Sequence, residues 1–288
     1  MNDPIDPIDP IGLAGLAEVA DAAVTLTIAV TGDRTPAGGS LTVVGTGIRA
    51  ISQLTVESLS AMRRAETLLH VIGEPIQEAA LSAINPAAQT LTGYYLDGME
   101  RSVTYELMVL QILAEVAAGK RTVVAFYGHP GVFTYPSHES VRRARAAGYP
   151  ARMLPAVSAE DCLFADLGID PGDGCQSFEA TDFVFRGRPF DPTAHLVLWQ
   201  VGTLGNWTYE EGGYDLQMLP ALVRRLAAAY PPGHPATVYE APFDPAGVPR
   251  VIRLPITALH GGQMTPATTL YIPPAVAAAP GRRPRRGR

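Results

Sequence analysis

The apolar positions of this chain switch repeatedly between a short-run strand pattern and a helical period. Thr122-Val123-Val124-Ala125-Phe126 is a short run of mostly apolar residues, as expected of a strand buried on both faces. It leads into Tyr127-Gly128-His129-Pro130-Gly131-Val132-Phe133, where two glycines and a proline break the pattern. Ser137 to Ala147 then takes up helical character. Upstream, Leu41–Ile48 predicts a strand entering the glycine-rich turn Gly45-Thr46-Gly47, and Thr55 to Ala65 a helix with Thr55 as its N-cap. Strands follow at Thr67–Ile72 and Thr90–Leu91 around a short helix at Ile76–Ala83. Val103 to Ala118 predicts a long amphipathic helix closed by Gly119. A strand at Ala151–Leu154 completes a strand–helix alternation that implies a mostly parallel sheet with helices on its faces.

The second half begins at Pro155–Asp161, where Ser158 is a good N-cap and Asp161 sits at a capping-box position. Apolar segments at Phe178–Thr181, His195–Val201, Ala236–Ala241, Arg250–Leu254 and Thr268–Ile272 read as strands, with one helix, Gln217 to Tyr230, among them. This pattern predicts a second α/β lobe with a mixed sheet. Before the first lobe, residues 3–11 repeat Asp-Pro-Ile and read as an extended, disordered arm. Leu13 to Ala23 has helical character, and Val24 to Thr31 reads as an edge strand or a dimer contact. The expected organisation is an extension over 1–39, lobes over 40–155 and 156–274, and a disordered basic tail over 275–288.

Composition narrows the chemistry. With 288 residues, 47% hydrophobic and 17% charged, most of the chain is expected to fold. The net charge is −6, and the only basic run is Arg282-Arg283-Pro284-Arg285-Arg286-Gly287-Arg288, so the folded part offers no nucleic-acid stripe. Two cysteines, Cys162 and Cys175, make no disulfide framework and point to reduced thiols in a cytoplasmic protein. No apolar stretch is long enough to span a bilayer, and the six histidines show no metal-site spacing. Gly45-Thr46-Gly47 lacks the further glycine of a dinucleotide fingerprint, and no Walker motif is present.

Two constellations remain. The loop Tyr127–Phe133 lies where open α/β sheets bind ligands, although an ordinary strand-to-helix turn fits it as well. Arg101 and Tyr105 are four apart at the start of the long helix and share a face, with Tyr95 just before them. A guanidinium stabilises oxyanions and a phenol can exchange a proton; the same spacing also fits a surface arginine beside half-buried tyrosines.

With these residues in hand, the sequence resembles the tetrapyrrole methylase superfamily and, within it, the borosin or omphalotin-type peptide backbone α-N-methyltransferases. The resemblance runs from about Leu41 to Pro274 and is strongest in Tyr127–Phe133, Leu154–Gly168 and Phe178–Asp182, with Leu198–Gly202 and Thr269–Pro274 fitting as well. It implies a two-lobed class III methyltransferase fold, with S-adenosylmethionine in the inter-lobe cleft and S-adenosylhomocysteine as product. The family's catalytic residues fall on Tyr95, Arg101, Tyr105 and Tyr127. Its cofactor contacts fall on Tyr127, His129, Val132, Phe133, Ser158, Ala159, Gln200, Ala241, Thr268 and Thr269. The implied chemistry has Tyr105, activated by Arg101, take the amide proton while Arg101 and Tyr95 stabilise charge on the amide oxygen.

There are two departures from the family pattern. The turn Gly45–Arg49 lacks the acidic residue common in the superfamily, which weakens a small-molecule or tetrapyrrole substrate more than a peptide one. The Ala-, Pro- and Arg-rich end carries no Val/Ile/Gly core peptide, so the substrate is expected to be a separate precursor chain. The resemblance also implies a homodimer. A tetrapyrrole C-methyltransferase, an RNA 2′-O-methyltransferase and a non-catalytic peptide-binding homologue are the alternatives.

Overall fold

The computed structural model describes residues 38–73 and 75–275. The Asp-Pro-Ile repeats, the helix over Leu13–Ala23, the strand over Val24–Thr31 and the basic run after residue 281 lie outside the described residues.

The chain divides into two compact units, and the second takes a piece from within the first's stretch of sequence. The first unit comprises residues up to Tyr94 and then Tyr105–Ser158, and the second comprises Tyr95–Thr104 and the chain from Ala159. The boundary inside the long helix has no counterpart in the apolar pattern.

The first unit is built on a five-stranded parallel sheet. Its strands are β1 (Ser40–Gly45), β2 (Thr67–Val71), β3 (Ala88–Thr90), β4 (Arg121–Phe126) and β5 (Ala151–Met153), in the order β3-β2-β4-β1-β5. β1 and β4 are central, so both faces of each are covered; Val43, Val44, Val124 and Ala125 are fully buried. This explains their continuous apolar runs. The helices are α1 (Val56–Arg63), α2 (Pro75–Ile84), α3 (Arg101–Ala117, begun in the second unit) and α4 (Tyr135–Ala146). The Thr55 hydroxyl caps α1 by accepting the Ser58 N–H at 3.1 Å. Gly119, at φ 83°, ends the turn after α3. Met62, Leu68, Ile72, Leu81, Val123 and Leu154 form a core beneath one face of the sheet.

The second unit carries a mixed sheet of β6 (Cys175–Glu179), β7 (His195–Trp199), β8 (Pro235–Glu240), β9 (Arg250–Pro255) and β10 (Thr269–Ile272) in the order β6-β7-β10-β8-β9. Only β6 and β7 run parallel; the other pairs are antiparallel. Helices α5 (Ala159–Leu167), α6 (Ala180–Phe185) and α7 (Leu219–Ala229) accompany it. Phe183, Leu198, Leu222, Leu226, Val238 and Leu270 make its core.

The structure corrects one element. Phe178–Thr181 is not a strand throughout: β6 ends at Glu179 and α6 begins at Ala180. The Glu179 carboxylate accepts the N–H groups of Thr181 (2.9 Å) and Asp182 (2.6 Å), so a side-chain cap turns the chain into a helix that apolar alternation does not announce. α7 is the helix expected over Gln217–Tyr230, and α6 is an additional one.

Candidate active site

In the first unit, the loops after β1 and β4 meet at the carboxyl ends of adjacent parallel strands, where open α/β sheets place ligands. Gly47 and Gly128 exchange backbone hydrogen bonds of 3.3 and 3.0 Å, and Thr46 donates its N–H to Phe126 O. Gly45 permits this approach: a Cβ there would lie 2.1 Å from Gly128 O and 2.7 Å from Pro130 Cδ. The loop Tyr127–Phe133 is then braced from within. His129 Nδ1 accepts the Gly131 N–H at 2.9 Å, and Val132 donates its N–H to His129 O. Nε2 of His138, on α4, lies 2.9 Å from Gly131 O. Phe133 ends the loop at φ 52°, a left-handed conformation rare outside glycine, and its ring is exposed.

Tyr105 on α3 stacks against Tyr135, the first residue of α4, with ring centroids 6.3 Å apart. The two helices are also clamped by an ion pair, from the residue after Tyr105 to one eight residues beyond Tyr135. Arg143 donates to both oxygens of Glu106, at 2.5 and 2.8 Å, and to Glu139 at 2.6 Å. The Arg142 and Arg143 guanidiniums pull the Glu139 carboxyl down to about 2. Tyr105, Tyr127, His129, Val132 and Phe133 thus belong to one unit, together with Ser158, which is buried at the end of that unit's chain.

Tyr95 and Arg101 belong to the second unit. Their segment pairs with residues 207–211. Gly98 donates its N–H to Tyr209 O, Tyr209 to Met99 O and Arg101 to Trp207 O, and Asp97 accepts the Glu211 N–H. This two-stranded ladder sets Tyr95 against Tyr209, with centroids 5.2 Å apart, and the Arg101 guanidinium 5.0 Å from the Tyr214 ring centroid. Tyr209 and Tyr214 were not among the residues singled out from the sequence, because no local spacing ties them to Arg101.

At one end of the second sheet, antiparallel pairing gathers residues far apart in sequence. β7 ends, β10 begins and β8 ends at the same edge, which brings Gln200, Thr268, Thr269 and Ala241 to that edge. Gln200 is left-handed, at φ 56° and ψ 34°, and its carbonyl accepts the N–H and the hydroxyl of Thr203. The next turn passes so close to Thr265 that a Cβ on Gly202 would lie 1.7 Å from Thr265 O. The organiser is Glu240, which the sequence did not single out. Its Oε1 accepts from the hydroxyls of Thr265 (2.8 Å) and Thr268 (2.6 Å) and from Arg250 (2.7 Å). Tyr239, fully buried, donates its hydroxyl to Asp166 on α5 at 2.7 Å, and Ala159 is the first residue of that helix. An open cavity of about 530 Å³ is lined in part by Gly202, two residues beyond Gln200, by Leu216, Met264 and Pro266, and by Tyr214, whose ring lies near Arg101.

Among the described residues, no helix is long and apolar enough to cross a membrane, and no group of three His, Cys, Asp or Glu side chains could hold a metal ion.

The site residues therefore fall into three clusters: one in the first unit and two in the second. Three residues other than glycine have positive φ among those described, and two of them, Phe133 and Gln200, are among the cofactor contacts expected from the sequence.

Comparison with known proteins gives this geometry a family. The "Methyltransferase/ribosomally synthesized cyclic peptide dendrothelin A precursor" of Dendrothele bispora is 42% identical over 241 residues, 82% of this chain and 58% of that protein. The corresponding omphalotin A precursor of Omphalotus olearius is also 42% identical over 241 residues, again 82% of this chain and 58% of its own. A type I borosin cyclic peptide precursor of Coprinopsis marcescibilis is 38% identical over 252 residues, 85% of this chain and 64% of its own. The chain spans less than two thirds of the length of each of these relatives. Two solved structures share the fold. The uroporphyrin-III-C-methyltransferase of Thermus thermophilus superposes with a TM-score of 0.59 at 21% identity, over 82% of this chain and 93% of that one. The methyltransferase CobJ gives 0.57 at 17%, over 84% and 97%. Residues 40–250 match the model described as Tetrapyrrole (Corrin/Porphyrin) Methylases, and the chain belongs to that family.

Proposed function

We propose that this protein is an S-adenosylmethionine-dependent methyltransferase that α-N-methylates backbone amides of a ribosomally made precursor peptide, acting as a homodimer. The observation that carries the reading is identity near 40%, over more than four fifths of this chain, with relatives named methyltransferase and cyclic peptide precursor in one.

A peptide nitrogen shares its lone pair with the carbonyl and is a poor nucleophile until its proton leaves or charge collects on oxygen. Tyr105, in the first turns of α3, takes the amide proton at its phenol oxygen. Arg101, one helical turn earlier, stabilises the negative charge on the amide oxygen with Tyr95. The aromatic partners Tyr135, Tyr209 and Tyr214 hold these side chains in place. S-adenosylmethionine, when bound, supplies an electrophilic methyl group on a sulfonium. The residues that would hold it are Tyr127, His129, Val132 and Phe133 in the braced loop, Ser158 and Ala159 at the start of α5, and Gln200, Ala241, Thr268 and Thr269 at the sheet edge. The strained backbones at Phe133 and Gln200, and the glycine approach at Gly45, suit such a ligand because they place backbone groups where a regular strand-to-helix turn would not. Positioning matters as much as basicity, since methyl transfer needs in-line approach.

The test is mass spectrometry of a candidate precursor peptide incubated with the protein and S-adenosylmethionine, with fragmentation to place each added methyl. Methyls on backbone nitrogens of consecutive apolar residues are expected. Tyr105→Phe should lower the rate about a hundredfold or more with cofactor affinity unchanged; an undiminished rate removes Tyr105 as the base. A tetrapyrrole C-methyltransferase is the second reading, favoured by the description of the family model itself. Methylation of a porphyrinoid, with no peptide product, would establish that reading instead.

A further inference from the structure

Every backbone polar group of Gly131 and Val132 has a partner. The Gly131 N–H goes to His129 Nδ1 at 2.9 Å, and the Val132 N–H to His129 O at 3.1 Å. The Val132 carbonyl accepts the Thr134 hydroxyl at 2.9 Å, and the Gly131 carbonyl lies 2.9 Å from His138 Nε2. An amide N–H only donates and a carbonyl only accepts, so the two imidazoles have opposite roles. His129 keeps Nδ1 bare, and His138 carries a proton on Nε2. Gly131 leaves the room this needs, since a Cβ there would lie 3.0 Å from His129 Cε1 and 3.2 Å from Met153 Sδ.

Three of these bonds close within residues 129–134. The fourth leaves the loop and ties it to α4, of which His138 is the fourth residue. Pro136, buried at the second position, fixes the turn that presents the ring. The first residue of α4, Tyr135, stacks on Tyr105, and residues three apart on a helix share a face. One turn of α4 therefore touches both the loop after β4 and the tyrosine assigned as the base. Two residues after Gly131, Phe133 holds its φ of 52°, a conformation that persists only where the neighbouring backbone is fixed.

We propose that His138 is a positioning residue: by donating from Nε2 to the Gly131 carbonyl it locks the loop to the helix that carries Tyr135, and so sets the bound cofactor relative to Tyr105. The proposal rests on the reading that this loop holds S-adenosylmethionine.

The test compares His138→Gln with His138→Phe in the full chain. A glutamine amide reaches about as far as Nε2 and keeps a donor, whereas phenylalanine keeps a ring and has none. Calorimetric titration with S-adenosylhomocysteine should show affinity about three- to tenfold weaker in His138→Phe, as for one lost hydrogen bond, and restored to within about twofold of the parent in His138→Gln. The amide spectrum of the ligand-free protein gives a second readout. Val132 N–H shares a peptide unit with the Gly131 carbonyl, so its signal should move in the phenylalanine variant and return in the glutamine one. Unchanged affinity with an unmoved Val132 signal in His138→Phe overturns the proposal. So does a glutamine variant that binds as weakly as the phenylalanine one. A parent protein that takes up no S-adenosylhomocysteine overturns the cofactor reading and the proposal together, whereas equal binding by all three proteins overturns the proposal alone.

Discussion

Tyr230 shows how one atom can set a local cost. It is buried against Phe190 and His234, and its hydroxyl has no hydrogen-bond partner among the described residues. A buried hydroxyl left unpaired costs about 1–3 kcal/mol of desolvation. Tyr230→Phe is therefore expected to raise stability by about 1 kcal/mol at pH 8, read as a higher urea midpoint with an unchanged slope. Glu240 is the opposite case. One carboxylate oxygen holds two threonine hydroxyls and an arginine at the sheet edge that carries Gln200 and Thr268. Glu240→Ala should cost about 2–3 kcal/mol in the same titration, because three donors lose their acceptor. If that edge holds the cofactor, cofactor affinity should fall with it; calorimetric titration of the variant with S-adenosylhomocysteine reads this directly.

Among the elements, the close approach at Gly45 and the cap at Glu179 carry distinct predictions. Gly45→Ala drives a methyl into the Gly128 carbonyl and the Pro130 ring, so the loop after β4 must move. A loss of about 2–3 kcal/mol is expected, as for overpacking elsewhere, and the shift should appear in the amide chemical shifts of Gly128 and Gly131. Glu179→Ala removes the cap of α6 and should cost about 1 kcal/mol.

These elements also show what a sequence reader can see. β1, β4 and α3 were legible because central parallel strands and a long packed helix write their burial directly into local apolar patterning. Thr55 was legible because a cap acts within three residues. α6 was not, because the half-buried Phe178 and the buried Phe183 lie on either side of a turn made by one carboxylate. The ladder between Gly98–Arg101 and Trp207–Tyr209 was invisible for a different reason. It is held by backbone hydrogen bonds between distant stretches, and backbone groups leave no trace in side-chain pattern. The aromatic partners of Tyr95 and Arg101 therefore emerged only from the fold.

For the whole molecule, alkaline pH is the sharpest probe. Burial pushes the phenols of Tyr230 and Tyr271 up to about 12, against an ordinary value of 10. Both folded values are raised, so the folded state keeps its protons while the unfolded chain loses them. Stability is whole below pH 10 and falls as pH rises from 10 through 12, by about 2–3 kcal/mol for each phenol at most. Tyr230→Phe should flatten that slope, which equilibrium urea unfolding at pH 9, 10 and 11 measures.

The chain passes from one unit to the other three times: between Tyr94 and Tyr95, between Thr104 and Tyr105, and between Ser158 and Ala159. No single cut can therefore release two intact halves. A fragment starting at Ala159 would lack the strand that pairs with Trp207–Glu211, and a fragment ending at Ser158 would carry that strand with nothing to pair it. Gene fission or recombination at the apparent midpoint should yield pieces that fold poorly apart, so the two halves are bound to be inherited as one reading frame.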